Sequence, residues 1–133
     1  MPTFHIEQVP GEPIFILELH EDFCISDQIQ SDEVSRTILD AQEEPAFFIV
    51  DLRHMPPLTL DDLIRAANQG ARSETPVWHH PKLRQLIFAS ELPIIRLAAQ
   101  GLNSAPFGNL SVEVFETVDE ALAYCHEQIR AAG

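Results

Sequence analysis

Apolar and polar positions along this chain follow two periods, and the switch between them predicts its elements. Residues 3–9 and 14–20 alternate with period two, the second as IFILELH, which predicts two strands. Pro10-Gly11-Glu12-Pro13 between them is a turn-forming cluster, so the pair reads as an antiparallel hairpin. Its two prolines lack amide donors, which suits the edge of a sheet. Residues 46–50, AFFIV, are apolar throughout and end on Asp51. The run is too short for a buried helix and rich in Phe, Ile and Val, which predicts a strand buried on both faces.

Helical spacing governs the segments between. Leu60, Leu63, Ile64, Ala67 and Ala71 recur on one face of a helix over 60–72, with Thr59 as N-cap and Asp61 and Asp62 in the first turn. An earlier, weaker helix over 27–43 carries Ile29, Val34, Ile38, Leu39 and Ala41, and Pro45 closes it. After a loop, SETPVWHHP, residues 82–89 (KLRQLIFA) give the next strand. Ser90-Glu91-Leu92-Pro93 then opens a helix striped by Ile95, Ala98, Ala99 and Leu102, with proline in the first turn where its missing donor is not needed. Residues 110–116 alternate as a strand. Thr117-Val118-Asp119-Glu120 is a capping box leading into a helix with Val118, Ala121, Leu122, Cys125 and Ile129 on its buried face.

The order is ββαβαβαβα. Helical crossovers require the strands they join to lie parallel, with right-handed connections. The expectation is an α/β fold: a mainly parallel five-stranded sheet with an N-terminal antiparallel hairpin at its edge. With no repeat, linker or low-complexity tract, 133 residues predict one domain.

Charge narrows the function classes. Lys and Arg number 8 against 21 Asp and Glu, a net charge of −13. Such a surface repels phosphate backbones and anionic membranes, which argues against nucleic-acid and membrane partners. The acidity is uneven: residues 1–45 hold 11 acids and Arg36 as their sole base. Cys24 and Cys125 are too few for a disulfide framework, and their apolar neighbours predict buried thiols in a reducing compartment. No run of about 18 apolar residues would span a membrane. The start lacks the basic and apolar regions of a signal peptide, so a cytoplasmic location is expected.

The element order, the apolar strand ending in Asp51-Leu52 before a loop and helix, and the ending VEVFETVDEALAYC resemble a STAS domain, of the anti-anti-sigma factor type. The pattern is most similar to the divergent branch grouped with STAS and CRAL-TRIO folds, and it covers nearly the whole chain. The resemblance implies a strand–helix superhelix around a mainly parallel sheet. It also implies a non-enzymatic role in regulation through a protein partner or small ligand. Typical members carry a phosphorylatable Ser or Thr in the loop after the equivalent of strand 46–52. Here that loop reads Arg53-His54-Met55-Pro56-Pro57-Leu58-Thr59, without an Asp-Ser-Ser-Gly type signature. Thr59 is its sole hydroxyl and the one phosphorylation candidate, yet it also serves as an N-cap, so the phospho-switch does not carry over.

Candidate chemistry concentrates on the loops at the carboxyl ends of the strands, where α/β folds meet ligands and partners. Arg53 can pair bidentately with a carboxylate or phosphate, His54 lies beside it, and Met55 offers an adaptable apolar surface. A parallel arrangement sets the 90–93 loop alongside, adding Ser90, Glu91 and Arg96 to the rim. The plainer alternative has Pro56-Pro57 stiffening a tight connection, Met55 packing inward and Asp51 fixing the following turn. No G-x-S-x-G elbow, P-loop or dinucleotide fingerprint is present, so no catalytic residue is assigned. His54, His79, His80 and Cys125-His126 lack the spacing of zinc ligands, so no metal and no cofactor is expected. The partner classes that remain are a protein, a small anionic or lipid-like ligand, and a second copy of the chain.

Overall fold

The computed structural model describes residues 4–21, 25–54, 61, 80–102 and 112–132. The helix expected over 60–72, the Trp78 loop and Cys24 fall outside them. The elements are β1 (Phe4–Gln8), β2 (Ile14–Leu19), α1 (Ile25–Asp40), β3 (Ala46–Asp51), β4 (Leu83–Ala89), α2 (Pro93–Leu102), β5 (Val112–Phe115) and α3 (Val118–Ala132). The strands form one five-stranded sheet in the order β1-β2-β3-β4-β5. β1 runs antiparallel to β2, and the other neighbours are parallel. This is the mixed sheet that the hydrophobic pattern predicts. Gly11 takes the left-handed conformation (φ 75°) that the turn between β1 and β2 requires.

β3 is the centre of the sheet, and all six of its residues are buried. Successive side chains point to opposite faces, so one strand feeds two cores. Ala46, Phe48 and Val50 join Phe15, Leu17, Leu86 and Leu39 of α1 on one face. Phe47 and Ile49 join Ile14, Ile87, Ala121 and Cys125 on the other, under α3. Phe15 and Phe48 rings lie 5.4 Å apart in a tilted pair. The stripe expected on α3 (Val118, Ala121, Leu122, Cys125, Ile129) is the one that packs there. Burial pushes the Cys125 thiol up to about 12, so it is an inert core group.

Helix α1 departs from expectation at both ends. It ends at Asp40, well before Pro45. The Ala41 amide bonds to the carbonyls of Thr37 and Ile38, the Gln42 amide to that of Leu39, and the Gln42 side-chain amide donates to Ile38 O. Its last carbonyls are thus satisfied locally, and the proline is not what stops it. Its buried face also differs. Ser31, Ser35 and Leu39 are buried, while Val34 is 38% exposed. The small serines sit at four-residue spacing on this buried face, and hydropathy alone scores them as surface.

Candidate functional site

The sheet registers place one residue from each strand in a row near the carboxyl ends of the parallel strands. The row runs His5, Glu18, Asp51, Ala89 and Phe115, on the face that carries α3. Two acids therefore sit side by side on adjacent strands. Glu18 is within 3.2 Å of the His20 ring nitrogen. Asp51 is 2% exposed, and its carboxylate is held almost entirely by Arg53, two residues on. Oδ1 accepts from the Arg53 amide at 3.1 Å and from Arg53 Nε at 2.9 Å, and Oδ2 accepts from Arg53 Nη2 at 3.0 Å. The amide bond is the turn-fixing role expected of an Asp at this position. His54 Nε2 stands 3.7 Å from Oδ2.

The electrostatics follow from this geometry. Burial by itself would raise the Asp51 carboxyl. The two side-chain bonds from Arg53, its amide and the charges of Arg53 and His54 outweigh that and hold it below the ordinary carboxylate range. Arg53 is raised in turn, chiefly by its bond to Asp51 against some burial, with Asp119 and Glu18 adding to the acidic field around it. A charged, half-exposed guanidinium is thus fixed at the sheet's carboxyl edge by a buried acid.

The expected site residues meet different fates. Arg53 and His54 are exposed at the end of β3, and Glu91 is exposed after β4. The two loops start side by side, since the Leu52 amide bonds to Ala89 O. Arg53 does not offer a free fork, because Nε and Nη2 are committed to Asp51. Ser90 is buried rather than on the rim: its amide bonds to Phe115 O and its hydroxyl accepts from the Leu92 amide. Its task is the turn into α2. Arg96 is exposed on the first turn of α2, and no described bond joins it to Arg53 or His54. Met55 and Thr59 lie outside the described residues.

Glu18 was not among the expected residues. The alternation Ile14, Ile16, Glu18 sets an acid in line with two apolar side chains, directly beside Asp51, and that break in the pattern is its signal. Glu18, Asp51 and His54 each bring one ligand atom to within 4.8 Å of the others, the single such grouping of three among the described residues. A cation there would compete with Arg53 for both oxygens of Asp51, so the arrangement is a balanced ion pair rather than a metal cage. A depression of about 160 Å³ opens beside it, lined by His5, Glu7, Ile16, Glu18, Asp51, Arg53 and Val118.

No protein-family model matches the chain, and no curated protein matches it. Solved structures do. An uncharacterized protein of the DUF3478 family with a SpoIIAA-like fold, from Shewanella loihica PV-4, superposes with a TM-score of 0.60 at 15% identity, over 91% of this chain and 90% of that one. An anti-sigma factor antagonist from Mycobacterium paratuberculosis superposes with a TM-score of 0.51 at 13% identity, over 92% of each. At such identities the likeness speaks for the fold. Sheet order, the antiparallel first strand and these superpositions together make this chain a STAS-like domain in architecture.

Proposed function

We propose that this chain is a non-enzymatic regulatory module, a single cytoplasmic domain that binds a protein partner through the loops after β3 and β4. The likeness in fold to an anti-sigma factor antagonist supports a regulatory role exercised by protein contact. The observation that carries the reading is the Asp51–Arg53 unit. A guanidinium held by two hydrogen bonds to a buried carboxylate, which also accepts from the Arg53 amide, is already ordered before any partner arrives, so docking onto it costs little side-chain entropy. Arginine is also enriched at the energetic centres of interfaces. His54 beside it and Glu91 after β4 are exposed, and the surrounding charge of Glu18 and Asp119 is negative. The complementary surface is a basic one. Among the described residues no helix is long and apolar enough to cross a membrane, which accords with this reading.

The small-ligand reading gains less support. The depression beside Asp51 holds about 160 Å³, whereas ligand pockets usually hold about 300–1,000 Å³. Three carboxylates in its wall, Glu7, Glu18 and Asp51, against the one arginine would repel an anion.

The test uses the double variant His54→Glu, Glu91→Lys, which leaves Asp51 and Arg53 in place. Tagged wild type should retain a specific partner from extract of the source cell, and the variant should lose it at an unchanged melting temperature. Equal retention by both proteins would reject this surface.

A further inference from the structure

We propose that β1 pairs with β1 of a second copy of this chain, antiparallel about Ile6, to join the two sheets into one. This surface is the β1 edge of the sheet; His5 and Glu7 also line the depression beside Asp51, but the loops after β3 and β4 take no part in the pairing, so it stands or falls independently of the partner-binding reading.

β1 ends the sheet, and among the described residues no strand pairs with its outer side. The Val9 amide bonds to Ile14 O. With the register His5↔Glu18, Ile6↔Leu17, Glu7↔Ile16, this turns the backbone groups of His5 and Glu7 toward β2 and those of Ile6 and Gln8 outward. Edge strands are commonly blunted by a bulge, a proline or a lysine. The β1–β2 register is unbroken, and FHIEQ contains neither residue.

The strand is complementary to itself. A two-fold axis through the Ile6 pair sets His5 of each copy opposite Glu7 of the other, on the same face. These are the positions without backbone bonds across the new junction, where facing Cα atoms lie closest, about 4.5 Å apart, and side chains meet. Both side chains are available, at 60% and 65% exposure, and within one chain His5 Nε2 is 3.4 Å from Glu7 Oε2. Pairing turns two separate His–Glu contacts into one alternating cluster of four. On the opposite face Ile6, partly buried against the core, meets its own copy. Ile6 of each chain donates its amide to the carbonyl of the other, the centre of the new ladder. This charge complementarity is between the strand and its own sequence reversed, which singles out a second copy as the occupant. A five-residue edge buries less than a standard interface, so the association is weak and concentration-dependent.

Sedimentation equilibrium of the full chain over a range of concentrations tests this. Wild type should show reversible monomer–dimer exchange. His5→Glu should weaken self-association about tenfold by setting carboxylates face to face, and Glu7→Lys should weaken it by replacing the acceptor that faces the His5 ring with a donor. An equimolar mixture of the two variants should associate again, since each supplies the charge the other needs. Ile6→Pro, which removes an outward donor, should be monomeric while circular dichroism shows a folded protein. A wild type that stays monomeric throughout, a dimer indifferent to both charge variants, or a mixture that fails to restore association would overturn the proposal.

Discussion

The two ends of the sheet are held by different kinds of bond. At the amino ends of the parallel strands, side chains tie together elements far apart in sequence. His126 of α3 bonds to Glu12 in the β1–β2 turn, His80 bonds to Asp40 at the end of α1, and Lys82 donates to Glu43 O. Arg84 donates to Gln128 O and lies 4.8 Å above the Phe47 ring, and Tyr124 donates to Gln85. At the carboxyl ends the described side-chain bonds stay within two or three residues: Asp51 with Arg53 and His54, Glu18 with His20, Ser90 with Leu92, Thr117 with Glu120. Among the described residues, one end is stapled across the fold and the other is a set of self-contained turns. A self-contained turn can change its exposed residues without releasing another element, which is what a recognition surface needs.

The substitution with most power to break this division is Asp51→Asn, because Asp51, the one acid fully buried among the described residues, belongs to the end with local bonds. It should lower stability near neutral pH by roughly 2–3 kcal/mol, discounted for the half-exposed arginine. The sign of its pH dependence follows from the depressed carboxyl. Its contribution is present above the ordinary carboxylate value of about 4 and disappears as pH falls through the folded-state value. The melting-temperature gap between wild type and variant should therefore narrow in acid. A gap that widened there would contradict the assigned ion pair.

At the stapled end, His126→Ala combined with Arg84→Ala should cost about 1–2 kcal/mol in denaturant unfolding, more than either change alone. Asp32 on α1 offers a gain. Burial, partly offset by Arg36, pushes it up to about 6, so its ionised form burdens the folded protein. That burden is absent below the ordinary carboxylate value and full above about 6. Asp32→Asn should raise the melting temperature near neutral pH by a few degrees and leave it unchanged in acid. The smallest effect belongs to the open end: Glu91→Lys and Arg96→Glu should each shift stability by less than about 0.5 kcal/mol. A larger loss would mean that the loops after β4 are structural staples after all.

Legibility from sequence divides along the same line. The sheet was readable because a strand buried on both faces must be apolar throughout, as 46–50 is, and because helix spacing between such runs forces parallel neighbours. The cap of α3 was readable because Thr117 and Glu120 act within one turn, and the Glu120 amide does donate to Thr117 Oγ1. Ser90 and Arg53 were harder. Their types suit a contact surface, but the burial of Ser90 depends on where β5 runs beside β4, and the Arg53 fork is taken up by Asp51 two residues away, a pairing that residue type alone does not announce. The His126–Glu12 bond joins residues at opposite ends of the chain, and no local pattern announces it. The buried serines of α1 were missed because hydropathy ranks them as polar, while packing treats them as small.

Native-state hydrogen exchange resolved by residue compares the two ends most directly. The amides of Ala46 and Phe47, bonded across the sheet's stapled end to Lys82 O and Pro13 O, should open only with global unfolding. The amides of Arg53 and Leu92, bonded to side chains within their own turns, should exchange at least about tenfold faster through local opening. Equal protection at both ends, or faster exchange at Ala46 and Phe47, would contradict the division between a stapled end and an end of self-contained turns.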